Sequence, residues 1–455
     1  MQTNKSCIIL AAGDGKRMKS AKPKVLLEVA FAPMLKWVLD AVVKAGIAPE
    51  HTAVIIGNEA ELLTNWLSKH YPDCKTFLQS ERLGTGHAVM QARDFLKSRT
   101  QEGGDDVLVL CGDAPFIDSD TIESSYTLHK SKGHSVTVIT ADLVHPKGYG
   151  RILRSESGGS VDSAISTQTI QAIVEEKDCT PKQRLITEVN SGAYWFDTRL
   201  LYVMLPKLTT ANKSSEYYLT DVVGLANETA GKPVGAFKSE NSYITLGAND
   251  RRGLRQLNNI AFDIIADKHS DNGVEIIGEC YIAKDAVIGS DTTILPNTVI
   301  RENVTVGIGC SVGPFAHLRA NTVLGDYVKV GDFVEVKNAN IGDKSSIAHL
   351  SYVGDSDVGT GVNFGCGCVT VNYDGVNKYR TVVEDNAFIG CNTNLIAPVT
   401  IGENSMTAAG STVNKNVPPD SLAIERAELR VKQNWKLNTL RRAKNAMKGQ
   451  GKKEQ

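Results

Sequence analysis

The sequence predicts two folds in series, an α/β half followed by a parallel β-helix. Three observations predict them. Apolar strand-like and amphipathic helix-like segments alternate through residues 1–249. Residues 250–271 form a polar stretch with helical spacing, in which Leu254, Leu257, Ile260, Ala261 and Ile264 mark one face of a connecting helix. From Ile276 onward aliphatic residues recur every six positions, at Ile282, Ile288, Ile294, Ile300, Val306, Val312, Leu318, Leu324, Val330 and Val336. Neither a helix nor a lone strand has that period. A coil with three flat sides per turn does, each side placing one aliphatic residue inside. Gly follows the aliphatic at Gly307, Gly313, Gly325 and Gly331, where tight corners are expected.

The first half justifies its sheet element by element. Ser6 to Leu10 is a short apolar strand that runs into a Gly-rich loop. Residues 33–45 have helical spacing, with Met34, Leu35, Val38, Val42 and Val43 on one face. Thr52 to Ile56 is β-branched and strand-like, and Gly86 to Leu96 reads as one helix. Val107 to Leu110 is a buried strand ending at Cys111-Gly112-Asp113, and Ser135 to Thr140 is another strand. Such a β-α-β succession makes a mostly parallel sheet, whose ligands bind at the carboxyl ends of strands.

The second half, residues 272–455, is the coil, running from about Val274 to Ile424, with a tail. The register slips at Ile341, resumes at Ile347 and Val353, and slips again at Val358 before Phe364. Thr370 to Thr381 leaves the coil, which resumes at Val383, Ile389, Leu395 and Ile401. Loops thrown from a solenoid commonly carry function. The tail from Glu428 is basic (Arg441, Arg442, Lys444, Lys448, Lys452, Lys453) and is expected to be solvated.

Composition narrows the class. A net charge of −1 gives no electrostatic reason for a nucleic-acid or membrane-surface partner. No apolar run approaches the ~18 residues of a membrane span. The stretch Cys7 to Ala12 is too short for an export signal. The nine Cys are scattered, without C-x-x-C spacing, which fits free thiols in a reducing cytoplasm. Cys366 and Cys368 are the one close pair, and a strand would point both to one face.

The first chemical constellation is Leu10-Ala11-Ala12-Gly13-Asp14-Gly15-Lys16-Arg17-Met18, followed by Pro23-Lys24. Small residues after a strand let backbone N–H groups approach phosphate oxygens, and Arg17 and Lys24 add cations. The third Gly of a dinucleotide fingerprint and the G-K-[ST] of a Walker loop are both missing. The segment resembles the signature of sugar-nucleotide pyrophosphorylases. That resemblance implies a Rossmann-like nucleotidyltransferase domain. It implies that Gln79, Gly84 and Thr85 read the base, and that Gly150, Glu175 and Asn190 contact the sugar. Asp113 and Asn249 would be Mg²⁺ ligands, and hard oxygen donors suit that ion. Lys16 stands where the family usually has Thr, and its side chain is expected to point to solvent.

The second constellation breaks the aliphatic pattern of the coil: Arg319, Lys337, His349, Tyr352, Asn363, Asn372, Tyr373 and Lys378. The segments Gly313-Pro314-Phe315, Val334-Glu335-Val336-Lys337, Ala348-His349-Leu350-Ser351-Tyr352 and Val371-Asn372-Tyr373-Asp374-Gly375 resemble the acetyltransferase half of one family. These are the bifunctional UDP-N-acetylglucosamine pyrophosphorylases/glucosamine-1-phosphate N-acetyltransferases, and the resemblance spans nearly the whole chain. It implies a left-handed β-helix, a homotrimer, and glucosamine 1-phosphate, acetyl-CoA and UTP as substrates. His349 would be the general base, since imidazole titrates near neutrality. Arg319 and Lys337 would hold the sugar phosphate, with Tyr352 and Asn363 on the sugar. Cys366, Asn372, Tyr373, Cys391, Ala409 and Arg426 would contact acetyl-CoA, although Cys366 and Cys391 replace the small or hydroxylated residues expected there. Two alternatives stay open: a nucleotidyltransferase with a regulatory coil, and a non-catalytic scaffold. Acetyl-CoA consumption with glucosamine 1-phosphate separates them.

Overall fold

The strand Lys5–Ala11 is an almost unbroken apolar run because both of its faces and both of its edges are covered. It pairs in parallel with Thr52–Ile56 on one edge and Asp106–Cys111 on the other. Its side chains alternate: Ile8 joins Val107, Val109 and Phe95 in one core, while Cys7 and Ile9 join Leu35, Val38 and Leu110 in the core of the opposite face. The computed structural model describes residues 5–13, 15–57, 60–155, 170–229 and 231–450, apart from the side chains of residues 60 and 446–450. Asp14, Lys452, Lys453 and the side chain of Lys448 lie outside the described residues.

The chain divides into two compact units, Met1–Lys268 with Ile282–Lys284, and His269–Tyr281 with Asp285–Gln455. In the first, the main sheet runs Val234–Lys238, Val136–Asp142, Glu188–Asp197, Asp106–Cys111, Lys5–Ala11, Thr52–Ile56, Lys75–Leu78. It is parallel except for Glu188–Asp197, which is antiparallel to both neighbours. A side branch, Arg151–Arg154 with Ile170–Val174, hangs from that antiparallel strand. The helix Met34–Lys44 buries Met34, Leu35, Val38 and Val42. Val43 departs from the expected face and is exposed, since one residue further turns the helix about 100°. The single helix expected over Gly86–Leu96 is two, Thr85–Gln91 and Arg93–Gln101. Ala92, at φ −87° and ψ 19°, sits outside the helical region and breaks the ladder between them. The helix Arg251–Asp271 buries Leu254, Leu257 and Ala261 as its spacing predicts, and Ile265 with them. Asn258 on this helix donates to the Glu28 carbonyl (3.3 Å) and accepts from the Ala30 N–H (3.0 Å).

The second unit is a left-handed parallel β-helix of hexapeptide repeats. Its three sides are parallel sheets of nine, eight and seven short strands. The first coils place residue i above residue i+18, as in the pairing of Ile294 with Val312. Every aliphatic of the six-residue series from Ile282 to Val336 is buried, and Ile276 is half-buried on the first coil. Each such side chain contributes roughly 1.5–3 kcal/mol by leaving water. The register slips are real: Leu324 pairs with Ile341 and Ile341 with Val358, so these coils are one residue shorter. The interruption is real too. Thr370 stays buried in the interior, the chain leaves at Asn372, and Thr381–Val383 resumes on Ser356–Val358.

Two corner expectations are corrected. Of the four glycines that follow aliphatics, only Gly313 adopts positive φ (104°). Gly307 and Gly331 are needed for close approach instead. An added Cβ would lie 2.5 Å from the Gly325 carbonyl oxygen in the first case and 1.9 Å from that of Ala348 in the second. Left-handed corners fall mostly to Asn and to residues such as Phe315, Phe333 and Leu350. Cys366 and Cys368 lie at a turn rather than along a strand, so they do not share a face: Cys368 is buried and Cys366 half-buried. The described part of the tail, 428–445, is exposed throughout, including the start of the helix Trp435–Gln450.

Candidate active sites

In the first unit, the carboxyl ends of Lys5–Ala11 and Asp106–Cys111 open into a cleft of about 330 Å³. Leu10, Ala12, Gly13, Lys24, Gln79, Gly84, Thr85 and Asp113 line it, and Ala11 is buried just behind. Lys24 Nζ forms an ion pair with Asp113 Oδ2, across 89 residues of sequence. Arg17 donates to Asn249 Oδ1 at 3.4 Å. Gly247 packs on Asp113, its added Cβ being 3.3 Å from the Asp113 carbonyl oxygen, which brings the 247–249 segment beside that strand end. Gln79 donates to the Gly84 carbonyl (3.2 Å) and lies 3.1 Å from His87 Nδ1. Gly84 has φ 109°, and a Cβ there would be 2.5 Å from the Tyr217 carbonyl oxygen, so only Gly fits. Thr85 Oγ1 accepts from the Leu219 N–H.

Gly150, Glu175 and Asn190 also converge. The Asn190 N–H donates to the Gly150 carbonyl (2.9 Å), and a Cβ on Gly150 would be 3.5 Å from Glu175 Oε1. Glu175 accepts from Thr220 Oγ1 at 3.3 Å, and burial holds its pKa above the usual carboxylate range. Val25, Arg82, Ala88, Cys111 and Glu216 complete the cleft lining and were not singled out as site residues from sequence. Burial and the neighbouring Asp113 push the Cys111 thiol up to about 12. Only Cys111, next to the Gly112-Asp113 strand end, carried a local signal.

The oxygens of Asp113 and Asn249 form a hard donor set that suits Mg²⁺. Among the described residues no group of three or more His, Cys, Asp or Glu could hold a metal. One carboxylate and one amide oxygen, completed by substrate oxygens, is a donor set of the kind Mg²⁺ takes.

In the coil, His349 ends the strand Ser346–His349, and its Nδ1 lies 2.7 Å from Asp332 Oδ1 on the coil before. Asp332 was missed from sequence, although the 17-residue coil offset points from His349 straight to it. Past the corner at Leu350, Tyr352 begins the strand Tyr352–Gly354. On that side Arg319 pairs with Glu335 (2.8 Å), and Glu335 pairs in register with Tyr352. Asn372 donates to the Tyr352 hydroxyl (3.3 Å) and to buried Asp355. Lys337 has its pKa lowered, chiefly by Lys378 beside it. Tyr373 bridges to Lys378 across the extruded loop, and its hydroxyl donates to the Gly375 carbonyl. Asn363 lies with Ser346 on the His349 side.

The remaining expected residues climb one edge above His349. The Gly367 N–H donates to the His349 carbonyl (3.3 Å) and the Asn392 N–H to the Cys366 carbonyl (2.8 Å). The Gly410 N–H donates to the Cys391 carbonyl (2.8 Å), and Arg426 Nη1 donates to the Ala409 carbonyl (3.1 Å). His349, Cys366, Cys391 and Ala409 thus stack on successive coils. Asn372, expected with that group, sits instead against Tyr352.

Comparison with known proteins agrees with both halves. A MobA-like NTP transferase domain matches residues 7–180, and bacterial transferase hexapeptide repeats match residues 380–415. The bifunctional protein GlmU of Acetivibrio thermocellus is 41% identical over 463 residues, covering 94% of this chain and 96% of that protein. Bifunctional protein GlmU of Geobacillus thermodenitrificans is 42% identical with 94% and 96% coverage, and that of Halalkalibacterium halodurans 40% identical with 95% and 98%. With identity sustained along nearly the full length of these relatives and through both units, the chain belongs to the family of bifunctional GlmU proteins.

Proposed function

We propose that this chain acetylates glucosamine 1-phosphate with acetyl-CoA in the coil and then joins the product to uridylate from UTP in the cleft. The observation that carries the reading is the presence of two unlike sites in one member of this family: a cation–carboxylate cleft at parallel strand ends, and an imidazole–carboxylate pair at a coil corner.

In the coil, the amine of glucosamine 1-phosphate attacks the thioester carbonyl of acetyl-CoA. The C–N bond forms, the C–S bond breaks, and His349 takes the amine proton as CoA leaves. Arg319 and Lys337 bind the sugar phosphate, Tyr352 and Asn363 the sugar. The stack Cys366, Cys391, Ala409, topped by Arg426, lines the acyl donor. Adjacent coils are about 4.8 Å apart, so this edge suits a long, extended thioester arm.

In the cleft, an oxygen of N-acetylglucosamine 1-phosphate attacks the α-phosphorus of UTP in line, and pyrophosphate leaves. Such transfers depend on positioning and charge neutralisation. Arg17 neutralises the departing pyrophosphate and Lys24 the α-phosphate region. Gln79, Gly84 and Thr85 hold the uracil; Gly150, Glu175 and Asn190 hold the sugar. Asp113 and Asn249 would hold Mg²⁺, which supplies further charge neutralisation at the phosphates when bound. We further propose a cytoplasmic homotrimer. Among the described residues no helix is long and apolar enough to cross a membrane.

Product analysis tests the reading. The purified chain with glucosamine 1-phosphate and acetyl-CoA should release CoA and N-acetylglucosamine 1-phosphate. Adding UTP and MgCl₂ should yield UDP-N-acetylglucosamine and pyrophosphate. Uridylyl transfer without any acetylation would overturn it in favour of a regulatory coil.

A further inference from the structure

We infer that Asp332 is a positioning residue for the acetyl step, holding the Nδ1 proton of His349 so that Nε2 is the basic nitrogen. The inference rests on the reading of His349 as general base. Asp332 and His349 are paired in register on adjacent coils, with Oδ1 and Nδ1 2.7 Å apart. Their spacing is set by the coil and not by a loop, because Val330 and Ile347, two residues before each, are fully buried and paired. An ionised carboxylate only accepts hydrogen bonds, so Nδ1 must carry the proton and the Nε2 lone pair is left available.

The groups around the ring support this assignment. Asp332 and Lys329 lie on the coil before, Cys366 on the coil after, and Tyr352 across the corner. The His349 hydrogen bond, with Lys329 contributing less, keeps the Asp332 carboxyl below its usual range, so it is anionic at neutral pH. An anion beside imidazole favours the imidazolium formed as the substrate amine is deprotonated. Side chains this exposed (56% for His349, 40% for Asp332) contribute orientation rather than fold stability.

The test compares Asp332→Asn and Asp332→Ala in the full chain, measuring kcat of the acetyl step. Asp332→Ala should lower kcat ~10–100-fold, the scale of impaired proton transfer. Asp332→Asn, whose amide oxygen can still accept from Nδ1, should lower kcat less than Asp332→Ala does. Nitrogen NMR of His349 should report Nδ1–H in the native chain and a tautomer mixture in Asp332→Ala. Uridylyl transfer should be unchanged in both. Native kcat and an unmoved tautomer in Asp332→Ala would overturn the inference. His349→Ala separates the two failures. If it retains acetylation, the general-base reading falls and the inference with it. If it loses acetylation while both Asp332 variants behave as native, only the inference falls.

Discussion

The cleft and the coil solve the same problem, holding a phosphorylated amino sugar beside a reactive partner, with opposite architectures. The cleft is assembled from remote segments: Lys24 meets Asp113 across 89 residues, and Arg17 meets Asn249 across 232. The coil assembles its site from neighbours one turn apart, with Asp332 and His349 separated by 17 residues. The cleft shifts its titratable groups mainly by burial, as at Glu175 and Cys111. The coil uses direct partners, as in the Asp332–His349 pair on adjacent turns and at Lys337 beside Lys378 of the extruded loop. A sheet can therefore bury a site and tune it through desolvation. A solenoid, in which each repeat touches only its neighbours, tunes a site by stacking.

Substitutions can break this comparison, starting with the largest effect. His349→Ala should slow acetyl transfer ~10²–10⁴-fold, the usual worth of a general base, with uridylyl transfer intact. Coupled-assay rates of the two steps check this, and equal loss of both would instead mean misfolding. Arg17→Ala should slow uridylyl transfer ~10²–10³-fold, the scale of one lost electrostatic stabiliser, and spare acetylation. Pyrophosphate release measures it, and near-native turnover would remove Arg17 from the mechanism.

Stability sharpens the contrast. Ile389→Ala, at a fully buried coil position, should cost ~2–5 kcal/mol in denaturant unfolding. Quasi-one-dimensional packing predicts that acetyl transfer suffers from this change well before uridylyl transfer does. Glu175→Gln should have a smaller effect. Burial raises the folded-state pKa of Glu175, so ionisation at neutral pH works against folding. The variant should melt slightly above the native chain at neutral pH. The difference should shrink as pH falls through the raised pKa and vanish only below the ordinary carboxylate range, where Glu175 is neutral in both folded and unfolded chains. A variant that melts lower at neutral pH would show that the carboxylate is stabilising. The subtlest contrast lies in the thiols. Maleimide should label exposed Cys391 readily and leave Cys111 unmodified, since its thiol is pushed up to about 12 and yields little thiolate. Peptide mapping decides it.

The coil was the more legible half. Its period is local, so the aliphatic spacing announced the interior, the two short coils and the extruded loop. What stayed hidden there was contact between coils. The role of Gly307 and Gly331 depends on the backbone of the next turn. Asp332 is invisible until the offset is counted back from His349. In the cleft, the Gly-rich loop and Asp113 stood out because they follow strands. Arg82 and Glu216 did not, because only tertiary folding carries them to the cleft wall. The break at Ala92 was equally illegible, since Ala is a strong helix former and local propensity gives no warning.

Complementation tests the central claim, two independent sites in one chain, most directly. Purified His349→Ala and Arg17→Ala chains, each given glucosamine 1-phosphate, acetyl-CoA, UTP and MgCl₂, should make little UDP-N-acetylglucosamine alone. Mixed, they should restore its formation, because the intermediate released by one is consumed by the other. Folded variants whose mixture stays as silent as each alone would contradict the account.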